Sequence, residues 1–184
     1  MVTTGKPKSV SGSIYRAPLS TTAPSDATTA LAAGFVSLGY VSEDGVTISP
    51  RKISSYEKKA WGGAVVLSGI ETVAYNAKFT LIDEAEMNVL KTIYGENNVT
   101  GTNISNGITV TVKPDDFEYY SWVIETLLDN GKKAKRIYIP KAKVTEVGDV
   151  VYKDNEAIGY EVTLSGVVDA NDVFAKEFIK QIST

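Results

Sequence analysis

The chain reads WVIETLLDNGKKAKRIYI over residues 122–139, two apolar-rich runs on either side of Asn130-Gly131. Asn-Gly is typical of a two-residue hairpin turn, and with that turn Glu125 lies opposite Arg136. A shift of one residue would set apolar side chains against charged ones. Apolar residues occur on both faces of both runs, which is typical of strands covered on both sides. The stretch therefore predicts an antiparallel hairpin, which we expect to end at Pro140.

A helix is predicted over residues 83–94, DEAEMNVLKTIY, after an alternating strand over residues 72–82. Asp83 and Glu86 have the spacing of a capping box, and Gly95 follows as the residue that ends the helix. We expect one apolar face of the helix to pack on the sheet and brace it. The residues of this face are Met87, Leu90 and Tyr94. Together these patterns predict a mainly-β fold with one helix.

The composition excludes several kinds of chemistry. The chain has 184 residues, no Cys and no His, so it lacks thiol nucleophiles, thiolate metal sites and the usual general base. Carboxylate-only chemistry, such as that of a glycosidase or an all-oxygen magnesium site, stays open on composition, but no catalytic motif accompanies it, and we expect no enzyme activity and no cofactor. The formal net charge of −3 argues against a surface that binds nucleic acid tightly. No apolar run reaches the roughly 20 residues of a membrane span and no signal peptide is visible, so we expect a soluble protein made in a cytoplasm.

The first part of the chain differs in composition from the rest. Residues 1–33 are dominated by Ser, Thr, Ala, Gly and Pro without a helical or strand period, which predicts an extended N-terminal arm. A strand from near Ser13 that packs on the same domain stays open as an alternative. Residues 34–184 predict a single β-rich domain, whose last segment, residues 170–184, fits either a strand or a short helix.

A long basic loop is predicted over residues 50–63, between two apolar strands. Long irregular loops inside compact domains are uncommon and tend to be functional. The other interpretation is a solvated hairpin tip without a function. The residues that we expect to carry a function are Arg51, Lys52, Tyr56, Lys58, Lys59 and Trp61.

Acidic and basic residues fall in separate blocks. Residues 115–129 contain five acids and no base, residues 132–143 six bases and no acid, and residues 146–172 seven acids against Lys153. Such blocks are typical of complementary edges between copies of a chain. The acids at 115–116 and 83–86 are better explained by turn chemistry and by the helix dipole than by catalysis.

Several phrases occur in the same order as in one known family. The chain contains LGYVSEDGV from residue 38, a strand that runs into a helix ending in YG, RIYIPKA from residue 136 and GYEVTL from residue 159. In this succession, which covers nearly the whole chain, the sequence resembles the major tail proteins of long-tailed bacteriophages, the subunits of the tail tube. The resemblance implies a β-sandwich or barrel-like tail tube domain beside one helix.

The resemblance also implies a function, the assembly of hexameric rings that stack into a hollow tube for DNA ejection. It implies that strands continue between subunits as a closed barrel, that the loop at 50–63 contacts the neighbouring ring, and that the N-terminal arm becomes ordered between subunits. The implied partners are the chain itself and the tape measure, tail terminator and tail tip proteins. The protein would lie in the virion tail after assembly in the host cytoplasm.

An acidic lumen would repel phosphate and let DNA slide without specific binding. The candidates for this wall are Asp115, Asp116, Glu118, Asp154 and Glu156. The alternative function is a carbohydrate- or receptor-binding β-sandwich, in which aromatic rings form a stacking platform. The candidates for the platform are Trp61, Tyr119, Tyr120 and Trp122.

Overall fold

The computed structural model describes residues 3–182, which form eleven strands and one α-helix, α1 (Met87–Tyr94). Short 3-10 helices cover Glu96–Asn98, Ile104–Asn106 and Asp129–Gly131. The prediction of a mainly-β fold with one helix is confirmed. No helix within residues 3–182 is long and apolar enough to cross a membrane. The strands are β1 (Gly5–Pro7), β2 (Ile14–Ala17), β3 (Val36–Ser37), β4 (Val41–Lys59), β5 (Val65–Leu81), β6 (Val99–Gly101), β7 (Ile108–Val110), β8 (Tyr120–Leu128), β9 (Lys133–Val147), β10 (Tyr160–Gly166) and β11 (Lys176–Gln181).

One antiparallel sheet contains nine strands, seven of which lie side by side in the order β3-β2-β8-β9-β10-β5-β4. In addition, β1 pairs with β8 and β11 pairs with β9, whereas β6 and β7 form a separate two-stranded sheet. The order of the large sheet begins at β3 and ends at β4 without closing on itself. Within the described residues, nine of the eleven strands therefore form one open sheet that ends at β3 and at β4.

The hairpin of β8 and β9 has the predicted register. Glu125 lies opposite Arg136 and Trp122 opposite Ile139. The Lys132 N–H donates a hydrogen bond to the Asp129 carbonyl across the turn, at 3.1 Å. Asn130 and Gly131 both have positive φ, as a turn whose twist matches its strands requires. The register predicted from residues 122–139 is confirmed. The turn is longer than predicted, because the ladder ends at the pair Leu128 and Lys133, and Asp129 also has positive φ.

Pro140 does not end the hairpin, so that prediction is wrong. β9 continues through it to Val147, and the register between β8 and β9 shifts at Tyr120 and Trp122. A shift of this kind is a bulge, where one residue is left out of the ladder and a missing N–H does no harm. The Ser121 hydroxyl donates a hydrogen bond to the Pro140 carbonyl at 2.8 Å, which ties the bulge to β8.

Both faces of the central hairpin are covered, as its apolar pattern predicted. On one face Trp122 and Ile124 belong to the large hydrophobic core, which also includes side chains of α1. On the other face Val123 and Tyr138 pack in a smaller cluster with Phe35. The sheet is therefore the middle layer of the fold.

The helix begins four residues later than predicted. Residues 83–86 form a turn, and Glu86 has extended backbone with no side-chain hydrogen bond to the helix start. The Asp83 carboxylate lies against Gly39, which precedes β4, and does not cap the helix. The capping-box prediction is therefore wrong, whereas Gly95 does end the helix, with a φ of 96° and its N–H bonded to the Lys91 carbonyl.

The three side chains predicted to brace the sheet lie in or against the large core. Leu90 is buried in the large core, and Met87 and Tyr94 pack against it while half-buried. The Tyr94 ring meets the Tyr160 ring of β10 edge-on, with centroids 6.2 Å apart. Burial raises the pKa of Tyr160 to about 12, so its hydroxyl stays neutral against the helix.

The segment predicted as an extended arm contains strands. β2 pairs with β8 through Ile14 and Ala17, both buried, so the alternative of a strand from near Ser13 is what the structure shows. At the other end of the chain β11 settles the choice between strand and helix in favour of a strand. The parts of these predictions at residues 1–2 and 183–184 lie outside the described residues.

A buried ion pair explains why the N-terminal segment is ordered. The Arg136 guanidinium, 1% exposed, donates to the Glu125 carboxylate from both Nε and Nη2. It also donates to the carbonyl oxygens of Asp26 and Thr29, at 2.5 and 2.8 Å. Lys8 adds a third cationic donor to Glu125 at 2.9 Å. The Glu125–Arg136 pair thus holds Lys8, Asp26 and Thr29 of the N-terminal segment against the sheet.

Candidate assembly surface

The two longest strands, β4 and β5, form a hairpin that extends beyond the sheet. β10 pairs with residues 75–81 of β5. Among the described residues, residues 65–74 of β5 pair only with β4. We call residues 52–74 the ribbon. All residues from 50 to 68 are exposed, so the ribbon has solvent on both faces.

The prediction of a loop over residues 50–63 is wrong, because β4 runs through to Lys59 and only residues 60–64 form the tip. Pro50 lies at a register shift between Ser49 and Lys52, where a missing N–H is tolerated. The loop was predicted because this segment has many charged residues and no apolar alternation. In a two-stranded ribbon both faces are exposed to solvent, so charged side chains are compatible with strand pairing.

The tip is closed by backbone hydrogen bonds and two glycines. The Ala60 N–H donates to the Ala64 carbonyl at 2.8 Å, and the Gly63 N–H donates to the Ala60 carbonyl at 2.9 Å. Gly62 and Gly63 have φ values of 110° and 92°, a conformation that favours glycine. The turn leaves the Trp61 side chain fully exposed at the outermost point of the ribbon.

One aromatic ring stabilises the ribbon across its strands. Tyr56 lies opposite Gly69, and its ring covers the glycine so closely that a Cβ there would come within 3.0 Å of it. A glycine inside a strand weakens pairing, and an aromatic ring over it restores some of the lost contact. The arrangement gives the free ribbon a defined shape.

Large apolar side chains are exposed along the ribbon in unusual number. A two-stranded hairpin alone is at best marginally stable in water, and contiguous exposed apolar surface marks an interaction site. The ribbon therefore has the composition of a surface that becomes covered. The exposed residues are Ile53, Tyr56, Trp61, Val65, Val66, Leu67 and Ile70.

Cations accompany these apolar groups. Arg51, Lys52, Lys58 and Lys59 are all exposed. None of the four makes an ion pair with another residue in the described range 3–182. Unpaired cations beside apolar groups favour a partner that is both apolar and acidic.

A family model described as phage tail tube protein matches residues 8–181. The chain belongs to the phage tail tube protein family. The resemblance seen in the sequence is thereby confirmed, and the family places the protein in the virion tail with a structural, non-enzymatic role in the tail tube. A search of curated proteins found no match.

The five acids predicted to line the tail tube lumen fall in two segments. Asp115, Asp116 and Glu118 precede β8, whereas Asp154 and Glu156 lie between β9 and β10.

Several of these acids already have partners. Lys143 donates to both carboxylate oxygens of Asp116, at 2.9 and 2.7 Å, and this hydrogen bond together with the Phe117 N–H lowers the pKa of Asp116. Glu156 pairs with Lys153 at 2.8 Å. The carboxylates of Asp116 and Glu156 thus carry less unbalanced charge than the sequence suggests.

The aromatic platform of the alternative function is not formed, so that prediction is wrong. Trp122 is 1% exposed in the core, whereas Trp61 lies at the ribbon tip. Arg16 lies over the Tyr120 ring at 4.3 Å, and Lys141 over the Tyr119 ring at 4.8 Å. The sheet brings none of these rings into a shared stacking surface.

The second strand of the ribbon also belongs to this surface, which was not predicted from the sequence. Val66, Leu67 and Ile70 looked like a buried strand because of their apolar run. The tip sequence could have indicated this exposure, because a turn at Gly62-Gly63 sets the apolar Leu67 opposite the basic Lys58. A strand paired only with an exposed basic strand is itself exposed.

Proposed function

We propose that this tail tube protein self-assembles into hexameric rings that stack into a hollow tube, and that the tube is the conduit for DNA ejection. The observation that carries the proposal is the ribbon, which exposes large apolar side chains and cations that have no ion-pair partner and no further strand beside them among residues 3–182. A surface of this kind is stabilised when another copy covers it. The family match supports a structural role in the phage tail tube.

Ring formation is supported by the free edge of β4. This strand is 19 residues long and ends the order of the large sheet. Long free edges are avoided in proteins unless they pair with something. In a ring, the edge of β4 would pair with the sheet of the neighbouring copy, and the continued sheet would close as a barrel around the lumen.

Ring stacking is the role that we assign to the ribbon. The residues that would contact the next ring are Arg51, which directly precedes the ribbon, and Lys52, Tyr56, Lys58, Lys59 and Trp61 within it. Helix α1 would lie outside the lumen wall and brace the sheet through Met87, Leu90 and Tyr94.

The lumen and the ends of the tube complete the proposal. An acidic lumen that includes Asp115, Asp116, Glu118, Asp154 and Glu156 would repel DNA phosphates and allow sliding. Tape measure, terminator and tail tip proteins would be the partners inside and at the ends, and assembly would take place in the host cytoplasm.

Electron microscopy of the concentrated purified protein tests the proposal. We expect rings of six subunits and stacked tubes with a DNA-sized channel. A species that stays monomeric at every concentration, alone or with tail extracts, would contradict it.

A further inference from the structure

A groove with a free volume of about 400 Å³ lies beside the C-terminal end of α1. Its walls are the helix end, the segment before β8, and the end of β9 with the residues that follow it. A concave apolar site of this size can hold a large aromatic side chain. The apolar residues that line it are Ile93, Tyr94, Val112, Phe117, Val147 and Val150.

Acidic groups surround this groove. Asp115, Asp116 and Glu146 contribute three carboxylates against the single ammonium of Lys113. Asp116 is engaged by Lys143 at 2.7 Å. Asp115 and Glu146 make no ion pair within residues 3–182. The groove therefore favours an occupant that combines an apolar group with positive charge.

The ribbon tip has that chemistry. Trp61 is fully exposed, and Lys58 and Lys59 lie beside it without ion pairs in the described part of the chain. Tryptophan is enriched among interface hot spots, which lie in well-packed pockets, and its side chain buries about 150–250 Å². The tip and the groove are thus complementary in polarity and charge.

The tip and the groove lie at opposite ends of the sheet. The ribbon leaves the sheet at Tyr75, which is opposite Gly166, and Gly166 is opposite Ala142 of β9. The groove lies at the other end of these strands, where Val162 pairs with both Phe79 and Val147.

The distance excludes an intramolecular contact. Between Ala64 and Phe79 the extended chain spans roughly 50 Å at about 3.3 Å per residue. A tip cannot reach the groove of its own chain, and a contact that joins one end of a molecule to the opposite end of the next propagates head to tail.

We propose that Trp61 of one copy inserts into the groove of a copy in the adjacent ring, with Lys58 and Lys59 facing the acidic rim. This inference rests on the proposed stacking of rings and names the surface that receives the ribbon. Each interface then consists of a basic aromatic tip from one ring and an acidic apolar groove from the next, which fixes the polarity of the tube.

Cysteine cross-linking tests the contact, because the natural chain has no Cys. Ala60→Cys places a thiol at the tip, and Val112→Cys places one on the groove rim, where Val112 is 79% exposed. The two variants are purified separately, mixed, assembled and oxidised. We expect a disulfide between positions 60 and 112 of different chains, identified by non-reducing electrophoresis and peptide mass spectrometry.

Val10→Cys is the matched control, because Val10 is a valine of nearly the same exposure, 76%, outside the groove. Linkage from position 60 should be at least tenfold higher to position 112 than to position 10. Tubes in the micrographs with equal or no linkage to position 112 would overturn the groove assignment and leave the proposed function standing. If no rings or tubes form at all, the proposed function fails and this inference fails with it.

Fluorescence gives an independent readout, because the chain has two Trp residues. Trp122→Phe leaves Trp61 as the one emitter. Its emission should shift to shorter wavelength when tubes form, as the indole leaves water. An unshifted spectrum in assembled tubes would contradict insertion.

Discussion

The hairpins β8–β9 and β4–β5 follow the same local rules and have opposite surroundings. Each is a pair of antiparallel strands joined by a glycine-containing turn, and each contains one of the two tryptophans. Trp122 is buried between the sheet and α1, whereas Trp61 is fully exposed. The strands of the first hairpin have further strands on both sides, and the ribbon has none among the described residues.

This difference separates folding from assembly. Apolar groups of the central hairpin already stabilise the single chain, at roughly 25 cal/mol for each Å² removed from water. The apolar groups of the ribbon can make the same contribution only when another molecule covers them. Substitutions in the first region should therefore change the stability of the monomer, and those in the second should change association.

The largest effect is expected from Leu90→Asp. Leu90 is buried in the core beneath α1, so the change removes ~2–5 kcal/mol of packing and buries a carboxylate, against a total stability of about 5–15 kcal/mol. Circular dichroism and urea denaturation should show loss of the folded state. Leu90→Met, which keeps the volume, is the control and should cost less than about 1.5 kcal/mol. A Leu90→Asp protein that folds and assembles normally would show that the helix does not brace the sheet.

The two tryptophans provide the sharpest comparison. Trp122→Ala should lower the free energy of unfolding by ~3–5 kcal/mol, because it leaves a cavity in the core. Trp61→Ala should change it by no more than about 0.5 kcal/mol and should reduce tube formation instead. Urea denaturation and sedimentation velocity measure the two effects. A destabilised Trp61→Ala monomer would remove the distinction between the hairpins.

A smaller, local effect is expected from Gly69→Ala. The added methyl group would come within 3.0 Å of the Tyr56 ring and displace it. Hydrogen exchange of ribbon amides should become faster, while exchange in β8 and β9 stays unchanged. Faster exchange throughout the sheet would mean that the ribbon folds as one unit with the core.

The smallest effect concerns pH and the segment held by Arg136. The Asp26 carboxylate accepts hydrogen bonds from the side chain and N–H of Thr29 and from the Thr28 N–H, which lower its pKa below the ordinary 3.8. Its stabilising effect is therefore present above pH 3.8 and is lost as the pH falls through the lowered value. An NMR titration should follow this carboxyl, and Asp26→Asn should abolish the dependence. An ordinary pKa for Asp26 would contradict it.

The two hairpins also differ in how far the sequence predicts them. Asn130-Gly131 fixes one turn geometry, so the register of β8 and β9 follows from residues close in the chain. The ribbon has charged residues on exposed faces, and no periodic burial indicates that it is a strand. The helix start was mispredicted because Asp83 lies against Gly39, a contact between distant residues.

The N-terminal segment shows the same limit. Arg136 holds the carbonyl oxygens of Asp26 and Thr29, more than one hundred positions away, and no local pattern contains that contact. The basic residues of the candidate surface were found from composition, because exposed cations next to aromatics are visible in sequence. Their apolar partners on β5 were missed, because exposure depends on which strands lie beside them.

Removal of the ribbon tests the central claim most directly. Residues 53–73 are replaced by Asn-Gly, which joins the paired residues Lys52 and Ala74 by a two-residue turn and leaves the sheet strands intact. Sedimentation velocity and electron microscopy then measure assembly. The account predicts a folded protein with unchanged urea denaturation that forms isolated rings or monomers and no tubes. Tubes of normal length and yield would contradict it.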